Sequence, residues 1–89
     1  MGTAIIKIKL MPASPETNLG EIEKAAEKII NKEGTVNHII QEPIAFGLKA
    51  VIITFALNES KELEPLEEAL GKIKNVNSTQ VIDMRRAVG

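Results

Sequence analysis

The stretch Thr35–Leu57, TVNHIIQEPIAFGLKAVIITFAL, holds two runs rich in β-branched residues separated only by a corner containing proline and glycine. Val, Ile and Thr suit a pleated, half-buried backbone, so Thr35–Gln41 and Leu48–Leu57 are predicted to be strands. Glu42-Pro43 closes the first, because proline has no N–H to donate to a ladder. A connection this short favours antiparallel pairing, since a parallel pair needs a crossover of a dozen or more residues. The second run is apolar almost throughout, which predicts a strand inside a sheet and covered on one face.

Working outward on the N-terminal side, Ala4, Ile6, Ile8 and Leu10 alternate with Ile5, Lys7, Lys9 and Met11, the period of two of a half-buried strand over Thr3–Met11. Pro12 and Pro15 then break it. Asn18 followed by Glu21 has the form of a helix cap, and Leu19, Ile22, Ala26, Ile29 and Ile30 follow at helical spacing, predicting an amphipathic helix that ends near Gly34. On the C-terminal side, Leu63, Leu66, Ala69, Leu70 and Ile73 form a second apolar stripe, with Pro65 tolerated in its first turn. Asn75–Asn77 marks a turn, and Thr79–Arg85 reads as a fourth strand. The order β-α-β-β-α-β predicts an α+β, ferredoxin-like sandwich: a four-stranded antiparallel sheet with two helices on one face. The other face is expected to stay open, consistent with Lys7, Lys9 and Lys49 among the strands.

Length and composition narrow the functions available. Eighty-nine residues, 44% hydrophobic and 26% charged, suit one globular domain spanning 1–89. The longest apolar run is far below the ~20 residues a membrane helix requires, and no signal peptide opens the chain, so no membrane role and a cytoplasmic location are expected. The absence of cysteine excludes disulfides, thiolate ligands and a thiol nucleophile. A net charge of −1 argues against bulk electrostatic binding of nucleic acid.

Catalytic and ligand-binding chemistry finds little to work with. His38 is the only histidine, and neither it nor Asp83 has partners in sequence that would make a nucleophile–base set. The glutamates of both helices fall on outward faces beside lysines, a solvated surface rather than a metal site, and Gly34 and Gly71 read as helix ends rather than a phosphate loop. No cofactor or metal of its own is therefore expected. RNA recognition on an open sheet needs exposed strand aromatics, and Phe55 is the only strand aromatic. A small-ligand regulatory module of the same topology would need a ligand loop, and none is identified.

Two features remain. Phe46 sits in the Pro43–Gly47 corner, where it either packs inward, with Gly47 relaxing the backbone, or stands out as an aromatic anchor for a partner. Arg85 and Arg86 stand near the chain end, either as a solvated, mobile tail or as a guanidinium delivered to an anionic pocket.

These features, with IKIKLMPASPET at Ile6–Thr17, EPIAFGLKA at Glu42–Ala50, Glu67-Glu68 and VIDMRR at Val81–Arg86, resemble the archaeal form of translation elongation factor 1-beta over essentially the whole chain. The resemblance implies guanine nucleotide exchange on elongation factor 1-alpha, a GTPase carrying GDP or GTP and magnesium, without covalent chemistry. It further implies docking on the GTPase and disturbance of its switch regions and magnesium site. By linkage, a factor that prefers the nucleotide-free state by about 3 kcal/mol weakens nucleotide binding roughly 150-fold. The resemblance gives partner contacts to Pro43, Phe46 and Gly47. It also places Arg86 where eukaryotic relatives carry a near-terminal lysine, with Arg85 able to share the role. Arginine there is larger and planar, and Ala87-Val88-Gly89 follow it.

Overall fold

The computed structural model describes residues 2–87. Its elements are β1 (Thr3–Pro12), α1 (Leu19–Asn31), β2 (Gly34–Pro43), β3 (Lys49–Asn58), α2 (Glu64–Gly71) and β4 (Val76–Ala87). The strands form one sheet in the order β2-β3-β1-β4, with every neighbouring pair antiparallel. Each helix thus bridges two strands that have a third between them, the ferredoxin-like arrangement expected from the element order.

Period-two alternation sets the core. Ile6, Ile8 and Leu10 of β1 lie opposite Phe55, Ile53 and Val51 of β3, and all six are buried. Ile22, Ala26 and Ile30 of α1 and Leu66 and Leu70 of α2 close over them, so both helices cover the same sheet face. Asn18 caps α1, its side chain accepting a hydrogen bond from the Glu21 N–H at 3.4 Å. Pro65 lies in the first turn of α2, where a missing N–H costs nothing.

The opposite face carries no helix and presents Lys7 and Lys9, as alternation requires. Ala50 and Ile52 nevertheless lie buried on that face, Ile52 at only 4% exposure. Ile52 lies directly opposite Lys9 on β1 and Ile40 on β2, and long side chains in such positions shield a small or branched neighbour while keeping their charged ends in water. Lys49 departs from expectation: it shares parity with Val51 and Ile53, so it projects to the helix side at the end of β3.

Several boundaries differ from the sequence reading, among them the start of β4, which lies at Val76, inside the turn expected over Asn75–Asn77, because Val76 pairs with Pro12 of β1. Pro43 is the last residue of β2, paired with Lys49, because β2 is an edge strand and a missing donor there is tolerated. The strand β4 runs past Arg85, so Arg86 is a ladder residue opposite Ala4 rather than part of a loose tail. Val88 and Gly89, the extension past Arg86, lie outside the described residues. Gly34 does not end α1, whose C-cap is Lys32; it opens β2. A Cβ at Gly34 would run into the backbone carbonyl oxygen of Ala56 on β3, so glycine serves close strand approach instead.

The two glycines predict opposite outcomes. Gly34→Ala should lower stability by about 1–3 kcal/mol in urea unfolding, since backbone must move to admit the methyl. Gly71→Ala, whose methyl would meet only the Thr79 side chain at 3.8 Å, should be neutral or stabilise by up to about 1 kcal/mol.

Candidate functional site

The connection between β2 and β3 is a tight hairpin. The Leu48 N–H donates to the Ala45 carbonyl at 3.0 Å, and the Ile44 N–H donates to the Leu48 carbonyl at 2.8 Å. Between them Phe46 and Gly47 both take positive φ, +58° and +78°. Successive positive φ values closed by such a bond are the signature of a type I′ turn, whose twist matches the flanking strands and whose usual residues are Asn-Gly. Gly47 fills its place without strain, and an added Cβ would have room, so the angle rather than space selects glycine.

Phe46 does not fit its place on local grounds. The left-handed conformation brings a Cβ against the following carbonyl, and an aromatic residue has no polar side chain with which to offset that cost. Nor does packing reward it: Phe46 is 94% exposed. Of the two readings left open for this residue, inward packing is therefore excluded. Ile44, also exposed, stands on the same tip and widens the apolar surface there. The sequence reading placed Ile44 in the Pro43–Gly47 corner without singling it out, because its exposure depends on how the hairpin tip projects.

The arginines lie at the opposite end of the sheet. From Lys49 to Leu57 strand β3 rises about 26 Å at roughly 3.3 Å per residue. Arg86 shares its row with Ala4 and Leu57, so the aromatic tip and the basic pair stand at two ends of a body 42 Å long. Alternation sends the two arginines to opposite faces. Arg85 lies over the open face, where its Nε donates to Asp83 of the same strand at 3.1 Å. Arg86 projects on the helix side, 84% exposed, and its Nε donates to Glu59 Oε1 at 3.0 Å.

Arg86 and Glu59 rim an apolar cleft of about 180 Å³ floored by Ala4, Ile6, Leu57 and Leu63. Met84 lines it too and is more than half exposed. Neither Glu59 nor Met84 was singled out from sequence, because each joins the site only through the pairing of β4 with β1 and the turn after β3. A larger cleft of about 370 Å³ lies at the hairpin end, between Gly47, Lys49, Pro15 and the start of α1.

No three His, Asp or Glu side chains come together as metal ligands among the described residues. Phe55 is fully buried beneath the helices, which leaves no exposed strand aromatic among those residues for stacking a base. No helix is long and apolar enough to cross a membrane.

Residues 5–87 match the family described as the EF-1 guanine nucleotide exchange domain. The chain is 42% identical to elongation factor 1-beta of Methanosarcina barkeri over 88 residues, 97% of this chain and 99% of that one. It is 33% identical to elongation factor 1-beta of Methanocaldococcus jannaschii over 89 residues, 98% of this chain and 100% of that one. Among solved structures, the ACT domain from GTP pyrophosphokinase of Chlorobium tepidum superposes with a TM-score of 0.62 at 14% identity. The superposition covers 88% of this chain and 96% of that one. At so low an identity the likeness speaks for the fold alone.

If Phe46 is retained against local preference, Phe46→Asn should relieve the turn. Asn tolerates positive φ and loses no buried contact, so urea unfolding should show a gain of about 1 kcal/mol. A loss of stability would mean that the ring packs against its own chain.

Proposed function

The chain belongs to the EF-1 guanine nucleotide exchange domain family, and on that premise we propose that its 89 residues act as one exchange domain on elongation factor 1-alpha in the cytoplasm. The observation that carries the reading is Phe46, held out at 94% exposure in a strained turn position. A residue that costs stability twice, through backbone and through exposed apolar surface, is explained by a partner that covers it.

In this reading the protein makes and breaks no covalent bond. The Phe46 tip, framed by Pro43 and Gly47, docks on the GTPase, while Arg86 at the far end approaches the magnesium site, with Arg85 able to contribute. A guanidinium there repels the magnesium ion and competes for its acidic ligands. The separation of the two contacts is useful to such a mechanism. A rigid sheet gripped at one end and charged at the other couples docking at the tip to a site at the far end of β3, which spans about 26 Å from Lys49 to Leu57 at about 3.3 Å per residue. The exchange factor then binds the nucleotide-free state more tightly, and reciprocity weakens nucleotide binding by the same factor.

Release of labelled GDP from elongation factor 1-alpha, followed with and without this protein, tests the reading directly. Acceleration that saturates with protein concentration is expected; no acceleration over a wide range of concentration would overturn it. Phe46→Ala should raise the half-saturating concentration at least about tenfold, the scale of a buried aromatic contact worth more than about 1.4 kcal/mol. Arg86→Ala should instead lower the maximal rate, more in excess magnesium than in chelator. Normal exchange by Arg86→Ala at high magnesium would remove Arg86 from the metal-displacing role.

A further inference from the structure

We propose that Glu59 is a positioning residue for Arg86, holding the guanidinium by its Nε so that its two outer nitrogens are presented to the partner. The inference rests on the reading above, in which Arg86 enters an anionic site on the GTPase. It names a residue that acts only through Arg86.

The two members of the pair are anchored very differently. Arg86 is 84% exposed along its side chain, whereas Glu59 is only 32% exposed and tied into the turn that follows β3. The Glu59 N–H donates to the Gly2 carbonyl at 3.1 Å, and the neighbouring Ser60 N–H donates to Asn58 Oδ1 at 2.9 Å. The Glu59 carboxylate lies directly against Gly2: a Cβ built there would stand 2.5 Å from Oε2 and 2.6 Å from Cδ. Glycine at position 2 is what leaves the carboxylate its place. A fixed acid therefore holds a cation whose far end reaches into solvent from an edge strand.

The atom used for the contact matters. A guanidinium carries five N–H donors in a rigid fork, and engagement through Nε leaves the donors of the two terminal nitrogens to form paired bonds with carboxylate or phosphate oxygens. Fixing so long a side chain costs conformational entropy, part of which is met before the partner arrives. Arg85 has no comparable hold, since its acid, Asp83, lies on the same strand, is itself more exposed and sits over the other face.

Nucleotide release measured across a range of exchange-factor concentrations separates the roles. Glu59→Ala should lower the maximal rate about 2- to 5-fold, the scale of an exposed ion pair, with the half-saturating concentration unchanged. Gly2→Ala keeps the carboxylate but displaces it, and should act in the same direction. Glu59→Gln, which retains an acceptor, should fall between Glu59→Ala and the unaltered protein. In an Arg86→Ala background none of these changes should have further effect. In the free protein the Arg86 Nε–H resonance should be protected from solvent exchange and should lose that protection in Glu59→Ala and Gly2→Ala.

An equal slowing by Glu59→Ala with and without Arg86, or faster release, would overturn the proposal. If Arg86→Ala slows release and Glu59→Ala does not, the role of Arg86 stands and that of Glu59 falls. If Arg86→Ala exchanges at the unaltered rate, both fall together. Thermal unfolding of each variant confirms that the fold is intact.

Discussion

Every position in this protein is referred to the pairing of β1 with β3. Those two strands occupy the middle of the sheet, and their facing rows, Ile6 with Phe55, Ile8 with Ile53 and Leu10 with Val51, are the floor on which both helices rest. A shift of one strand by one residue would turn its three side chains away from the helices, since successive residues point to opposite faces. Each buried aliphatic or aromatic side chain contributes about 1.5–3 kcal/mol, so such a shift is heavily penalised. Register in the centre is thereby register at the edges. It fixes where the hairpin tip emerges at one end and where Arg85 and Arg86 emerge at the other.

The molecule departs from local preference where it is expected to meet its partner. In the type I′ turn, Phe46 occupies the position that Asn normally fills, exposed and left-handed. Arg86 lies in a regular ladder, yet its side chain leaves the body of the protein and is held by a single acid. Elsewhere the elements agree with their sequences: capped α1, Pro65 in the first turn of α2, and alternation along β1. Conflict between local and global preference confined to a few positions is what a binding site grafted on an otherwise consistent fold looks like.

The element order and both helix faces were legible because each rests on short-range periodicity: two along Thr3–Met11 and 3.6 along Leu19–Ile30. Boundaries were less so. Pro43 reads locally as a strand end, and only its position on an edge strand shows that it can be paired. Gly34 reads as a helix end after a run of helical residues; its cause is the Ala56 carbonyl on another strand. The charge of Lys49 suggests the open face, whereas its parity with Val51 places it on the helix side.

By itself the sequence determined the β-α-β-β-α-β order, the antiparallel hairpin at its centre, the buried stripes and the candidate residues Phe46, Arg85 and Arg86, along with the resemblance that the family match bears out. These follow from local chain chemistry and from patterns of residues. Tertiary structure alone decided that Phe46 points outward, that the aromatic tip and the basic pair lie at opposite ends, that Arg85 and Arg86 face opposite ways, and that Glu59 holds Arg86. Contacts between Gly2, Glu59 and Arg86 join residues far apart in the chain, and they exist only because β1 pairs with β3 on one side and β4 on the other. Strand pairing sets such neighbours, and no period along the chain encodes them.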